Sequence, residues 1–313
     1  MARGVNRPLA AAALVGLGAL AARSALRAAR SVPGSDQLDR TNFHGRTVSL
    51  TGGPALATAA TATAALGAGS PRVAAAAILA GGVSGAVGLY DDIVGVRPDQ
   101  KASKGFRGHL GALRAGRLTS GMVKIAGVGA AAFGAAALLE ADTPCYGRVG
   151  RVANVILGTG VIAGTANLLN LLDLRPGRAL KVGAALAAGH LASAPFVPGG
   201  AERSGDPHAG LVAGPLGAAI GLLPADLDEE IMLGDTGANA YGALIGLAAT
   251  ARFGIGGRAA LLAGLAALTA ASEKVSFTKV IEATPVLREL DALGRRTDHV
   301  ADDPATDRPR FAG

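Results

Sequence analysis

Three short polar clusters sit where long apolar stretches end or begin: Gly88-Leu89-Tyr90-Asp91-Asp92, Asn167-Leu168-Leu169-Asn170-Leu171-Leu172-Asp173, and Gly234-Asp235-Thr236-Gly237-Ala238-Asn239. Asp91 and Asp92 repel each other, and the C-terminal end of a helix disfavours anions. A capping explanation therefore fails. A divalent cation, or basic residues such as Lys101, Lys104 and Arg107, would relieve the repulsion; the plain alternative is a solvated helix end. Asn167, Asn170 and Asp173 are spaced by threes, so at about 100° per residue they share one helix face. Amide and carboxylate oxygens on one face suit a hard cation such as Mg²⁺, with Mn²⁺ as its substitute. The alternative is hydrogen bonding between helices. Asp235 opens an apolar stretch and is either an N-cap or, with Gly237 and Asn239, part of a phosphate cradle at a helix N-terminus.

The elements that position these clusters follow from composition. Of 313 residues, 50% are hydrophobic and only 17% are charged, against about 25% charged in soluble domains. The fold class expected is all-α: a polytopic membrane protein of about nine transmembrane helices. The apolar spans run over 8–22, 50–69, 73–92, 120–140, 152–173, 180–197, 209–224, 236–252 and 257–272. There is no Trp, aromatics are 3%, and 47 residues are Gly. Close packing through small residues is thus expected in place of aromatic belts, although a genome rich in Ala, Gly and Arg codons would contribute to the same composition. One cysteine, Cys145, excludes an internal disulfide. No HxH or HExxH pattern points to zinc.

The net charge of +7 is spread over loops between apolar runs, which fits membrane topology and gives no nucleic-acid signal. Met1–Ala22 resembles a secretory signal peptide, but Arg23, Arg27 and Arg30 follow it, which favours a first spanning helix. One set of loops carries fourteen basic residues against eight in the other. The positive-inside rule then places the N-terminus outside, the C-terminus in the cytoplasm, and all the acidic clusters on the cytoplasmic side. Residues 1–275 form the expected transmembrane domain. Residues 276–313 form a cytoplasmic segment, with Phe277, Val280, Ile281, Val286, Leu287, Leu290 and Leu293 at helical spacing, interrupted by Pro285. This is an amphipathic pair lying on the membrane or against the loops, followed by a disordered stretch from Thr297.

In this order, the Gly52-Gly53 pair, the Asp91-Asp92 pair, Lys104-Gly105, the NxxD of Asn170 to Asp173 and the GDTG of Gly234 to Gly237 resemble the polyprenyl-phosphate N-acetylhexosamine-1-phosphate transferases. The resemblance spans about Arg46 to Tyr241. It implies transfer of a sugar-1-phosphate from a UDP-sugar to undecaprenyl phosphate, with Mg²⁺ and release of UMP, at a bacterial plasma membrane in cell-envelope synthesis. It also implies that Asp91 and Asp92 handle the lipid phosphate, that Asn170, Asp173 and Asp235 organise the metal and pyrophosphate, and that Lys104, Asn167, Gly237 and Asn239 contact substrate. The chain departs from the family at Pro176, where another Asp is common, at Gly95, where the muramoyl-pentapeptide members have Lys, and in lacking a late His-rich loop. Arg175 and Arg178, beside Pro176, offer bidentate phosphate contacts in place of the missing acid, or serve topology alone. Two other functions stay open: a non-catalytic membrane protein that binds a lipid carrier, and a transporter. Transporters hold their charges near the bilayer midplane, whereas these lie at one rim. A homodimer is compatible with the sequence.

Overall fold

The computed structural model describes residues 6–42, 44–97, 119–141, 147–193 and 207–296. Lys101, Lys104, Arg107 and Cys145, and the stretch from Thr297 on, lie outside these residues. The described chain is mostly helical. Helix α1 (Asn6–Ser31) is followed by a short 3₁₀ turn (Ser35–Leu38) and a hairpin of β1 (Asp39–Thr41) and β2 (Thr47–Ser49). Then come α2 (Gly52–Gly67), a long helix in pieces made of α3 (Pro71–Ala77), a π-helical segment (Ile78–Val83) and α4 (Ser84–Val94), α5 (Ser120–Glu140), α6 (Arg148–Leu172), α7 (Arg178–Ala192), α8 (Pro207–Leu227), α9 (Gly234–Arg252) and α10 (Ile255–Ser272). Two short helices, α11 (Phe277–Ala283) and α12 (Pro285–Ala292), close the described chain.

Among the described residues, six stretches are long and apolar enough to cross a membrane: Pro8–Ser31, Pro71–Val94, Ser120–Glu140, Arg148–Leu172, Ala209–Leu227 and Ile255–Ser272. The chain therefore has the character of a membrane protein. Of the nine expected spans, those over α2, α7 and α9 are not among the six. Helices α2 and α7, of 16 and 15 residues, are short of the about 20 residues that a bilayer core takes. The first span also extends further than the apolar run: α1 continues to Ser31, so Arg23, Arg27 and Arg30 are helical residues and not a flank. Arg23 donates to the Gly221 carbonyl at 3.3 Å, and Arg30 pairs with Glu230 at 3.0 Å.

Local chemistry sets the helix starts. The Ser70 hydroxyl accepts from Val73 N–H, with Pro71 in the first turn of α3, and Thr119 accepts from Met122 N–H at the start of α5. Both are side-chain N-caps that satisfy an orphan donor. Small residues then bring helices into backbone contact. A Cβ on Gly217 of α8 would lie 1.9 Å from the Val15 carbonyl oxygen of α1, so only glycine permits that approach. Helix α9 runs through the middle and is buried on every side from Thr236 to Thr250. Tyr241, Leu244 and Leu247 of α9, with Leu56, Ile162 and Leu180 from its neighbours, are fully buried.

The hairpin is the one departure from all-helical structure among the described residues. Its antiparallel pairs are Asp39–Ser49, Arg40–Val48 and Thr41–Thr47. Ser49 also bridges to Ile231, with Ser49 N–H donating to Glu230 O at 3.2 Å and Met232 N–H to Ser49 O at 2.9 Å. The hairpin is thereby fixed to the segment that leads into α9.

Candidate functional site: a carboxylate and lysine cleft at one end of the bundle

The C-terminal ends of α4 and α6 and the N-terminal ends of α5 and α9 meet at the same end of the bundle. They enclose an open cleft of about 670 Å³, lined by Asp91, Asp92, Lys124, Asn170, Asp173 and Asp235 among others. Asn167 and Arg40 also face it. Six acidic or amide residues separated by up to 144 positions in sequence are thus brought into one space.

At the centre is a residue that the sequence reading passed over. Lys124, one turn into α5, places its Nζ 2.9 Å from Asp91 Oδ2 and 2.7 Å from Asp235 Oδ2. The Ser120 hydroxyl, one turn earlier on the same face, also bonds the Asp91 carboxylate. Asn170 donates its side-chain N–H to Asp235 Oδ1. Lys124 is the only charge inside the apolar run from Ser120 to Leu139. That was the available signal, because a charge within a spanning helix is costly unless it is paired and used.

Asp92 has a different task from its neighbour. Its Oδ1 accepts from Asp235 N–H at 2.9 Å, and its Oδ2 accepts from Thr236 N–H at 2.9 Å and Thr236 Oγ1 at 2.6 Å. Asp92 therefore caps the N-terminus of α9 from the end of another helix. Two sequence readings are corrected here. Capping does account for one of the paired carboxylates, because the helix being capped is not its own. And Asp235 is not the N-cap of α9: it lies in the first turn with its carboxylate turned to Lys124 and Asn170.

Two glycines allow this joint. Gly234 has φ of +59°, and a Cβ on it would lie 2.8 Å from Asp92 Oδ1. A Cβ on Gly88 would lie 2.4 Å from Asp235 O. Arg40 completes the joint from the hairpin, donating to the Asp92 carbonyl at 2.8 Å.

Asp173 lies one residue beyond the end of α6, in the turn that leads to α7. Burial pushes its carboxyl well above the usual carboxylate range, and the nearby Asp226, Asp92 and Asp235 carboxylates push it the same way, against a hydrogen bond from Gly234 N–H. Asp226 accepts from Gly177 N–H at 2.8 Å on the other side of this turn.

Gly237, Asn239, Arg178 and Arg175 lie elsewhere, while Asn167 stays on the cleft wall. Gly237 and Asn239 are buried within α9 and do not line the cleft. A Cβ on Gly237 would meet Gly53 Cα at 3.0 Å, so this glycine, with the Gly52-Gly53 pair, serves the packing of α2 on α9. Arg178 is turned away from the cleft into a buried pair with Asp291, and Arg175 pairs with Glu282 at 3.4 Å. Asn167 donates to Thr269 Oγ1 of α10 at 3.2 Å. The double-arginine phosphate clamp is not the arrangement found, because the tail supplies these arginines with carboxylates.

Among the described residues no three His, Cys, Asp or Glu side chains form a ready metal cluster. The donors that do converge are hard oxygens, and Mg²⁺ commonly takes only one or two carboxylates, with water and phosphate oxygens completing its shell. Asp91 and Asp235 approach closely enough to need a shared cation, and the Lys124 ammonium meets that need. The donor chemistry thus fits Mg²⁺ with phosphate groups better than an all-protein metal cage. The chain matches no protein-family model, no curated protein and no solved structure.

Proposed function

We propose that the protein transfers a sugar-1-phosphate from a UDP-N-acetyl-sugar to a polyprenyl phosphate at a membrane, releasing UMP. In this reading the chain crosses the membrane nine times, with the cleft on the cytoplasmic side of a bacterial plasma membrane. The observation that carries the reading is the convergence of Asp91, Asn170, Asp173 and Asp235 in one cleft with Lys124, which pairs with Asp91 and Asp235, at the end of an apolar bundle. A soluble anionic nucleotide and the head of a membrane lipid can meet only at such an end.

In the reaction an oxygen of the acceptor phosphate attacks the sugar-bearing phosphorus of the donor. A new P–O bond forms, the P–O bond to UMP breaks, and the sugar C–O bond is untouched. Two polyanions must approach, so the site needs positive charge and fixed orientation. Lys124 is placed to pair with phosphate oxygens once Asp91 and Asp235 are engaged otherwise. Asp235 and Asp173, with Asn170, would hold Mg²⁺, which neutralises pyrophosphate charge when bound. Asp91, with one face toward Ser120 and Lys124, would orient the acceptor phosphate. Asp92 contributes by holding the first turn of α9, and therefore Asp235, in place.

The test is UMP release from a panel of UDP-sugars with undecaprenyl phosphate and Mg²⁺, using the purified chain in detergent or nanodiscs. Turnover with one donor, lost in Asp235→Asn and Lys124→Met, is expected. Tight binding of the lipid phosphate with no UMP from any donor would replace this reading with the lipid-carrier-binding one.

A further inference from the structure

The turn that bears Asp173 is gripped from outside the bundle. Arg178, at the start of α7, is only 2% exposed. Its Nε and Nη2 donate to Asp291 Oδ1 and Oδ2 of α12 at 2.7 and 2.8 Å, and its Nη1 donates to Thr278 Oγ1 of α11 at 2.9 Å. One turn along α7, Lys181 Nζ donates to the carbonyls of Leu290, Asp291 and Leu293 at 3.0, 2.5 and 3.2 Å. These are carbonyls at the end of α12 that have no helical partner. Arg295 pairs with Asp291 at 2.8 Å and donates to the Pro176 carbonyl at 2.9 Å. Residues 277–296 thus hold the turn between Asp173 and Arg178 at several points.

The outward side of α12 is apolar. Val286, Leu287 and Leu290 are 66%, 43% and 58% exposed, and at about 100° per residue they lie within one arc of about 100°; Leu293, just past the helix, is 67% exposed. Arg288 sits on the opposite side, and Arg295 and Arg296 follow directly. The bilayer surface is the occupant that fits this face. Helix α10, a candidate span with most of its surface exposed, ends at Ser272, so α11 begins a few residues from the membrane boundary. An eight-residue helix of this polarity cannot span, but an apolar face flanked by arginines suits the headgroup region of anionic lipid.

We propose that α11 and α12 form an interfacial strap: the bilayer surface seats the apolar face of α12, and the Arg178–Asp291 pair passes that fixation to the turn carrying Asp173. Arg178 is then a positioning residue. The importance of Asp173 to catalysis rests on the proposed transferase reading; the strap and its lipid contact do not.

The chain has no Trp, so Leu290→Trp creates a single reporter on the apolar face, and Arg288→Trp one on the opposite side. In nanodiscs containing phosphatidylglycerol, the Leu290→Trp emission should be blue-shifted and quenched by lipid brominated near the headgroup. Arg288→Trp should not be. Equal quenching of the two, or none at either, overturns the lipid contact. Hydrogen exchange reads the coupling. In the unmodified chain, amides of 173–178 should exchange faster in zwitterionic than in anionic nanodiscs, with those of α5 unchanged. Arg178→Lys keeps the charge but loses the planar fork, and should speed exchange at 173–178 by about tenfold or more, with Asp291→Asn doing the same if the lysine variant fails to fold. Exchange at 173–178 that is insensitive to lipid and to both variants overturns the coupling. Because these readouts need no turnover, a failed UMP assay leaves them interpretable.

Discussion

Asp92 and Asp235 are chemically alike and lie in one cleft, yet they should fail in opposite ways when changed to Asn. Three donors converge on the Asp92 carboxylate, from Asp235 N–H, Thr236 N–H and Thr236 Oγ1. Asparagine keeps one oxygen and turns an NH₂ toward donors that the other oxygen served. Losing a helix cap costs about 1 kcal/mol, and losing a carboxylate at a helix N-terminus costs up to about 2 kcal/mol in partly buried geometry. A buried donor left unmade costs about 1–3 kcal/mol. The terms overlap, so Asp92→Asn should lose about 2–4 kcal/mol of stability. Asp235 caps nothing through its side chain, and in Asp235→Asn the Lys124 ammonium keeps Asp91 at 2.9 Å. Relief of the repulsion between the two carboxylates offsets part of the lost pairing, so the change should stay within about 1 kcal/mol. Denaturation of the detergent-solubilised variants reads stability, and UMP release per folded molecule reads function. Asp92→Asn should unfold easily yet retain activity in its folded fraction; Asp235→Asn should stay folded and be inactive. A fully stable Asp92→Asn alongside an unstable Asp235→Asn would refute the assignment of the cap.

Other outcomes follow from single contacts. Gly88→Ala would put a Cβ 2.4 Å from Asp235 O and 2.7 Å from Thr236 Cα, both backbone atoms; α4 and α9 must part, lowering stability by about 1–3 kcal/mol and activity with it, as melting and turnover would show. Arg258→Met should cost about 3–5 kcal/mol, because it strands buried Glu140, now 2.5 Å from Arg258 Nη1. Activity per folded molecule should be unchanged, since Glu140 ends α5 at the end opposite the cleft. Asp173 holds its proton more tightly folded than unfolded, so it favours folding below the ordinary carboxylate pKa of about 3.9 and loses that contribution as pH rises above it; Asp173→Asn should therefore be more stable than the parent at neutral pH while losing turnover, and equal stability at pH 7 would count against the raised pKa. Asp291 shifts the other way: burial raises its carboxyl, but the Arg178 and Arg295 contacts outweigh that and hold it below the usual range. Its contribution is present at neutral pH and lost as pH falls below about 3.9, so hydrogen exchange at 277–296 should quicken there first.

What could be read from the sequence divides along a physical line. Apolar runs gave the helices, because a bilayer or a core selects for them residue by residue, and the charged ends of those runs gave the end of the bundle where the site lies. Asp91, Asn170, Asp173 and Asp235 were legible as a group since each closes or opens a run. The hairpin at 39–49 was not, because three-residue strands carry too few alternations to register. Nor could the runs alone tell which helices are long and apolar enough to span and which, like α7, are short.

The site residues that escaped are those whose roles depend on a partner from another element. Asp92 reads as a repelled anion at its own helix end, and becomes a cap only when α9 arrives beneath it. Arg178 reads as a free phosphate ligand or a topogenic charge, and becomes a clamp only because Asp291, 113 residues later, reaches it. Lys124 is the instructive case. A charge in an apolar run already carries an energetic cost, so it demands a partner before any partner is known. The two carboxylates nearest to it in space, Asp91 and Asp235, demand a cation for the same reason. Taken together, unpaired charges of opposite sign in spans that share one end predict one another. That rule would have placed Lys124 between the acids from the sequence, whereas counting basic residues in loops, which sets topology, leaves it out.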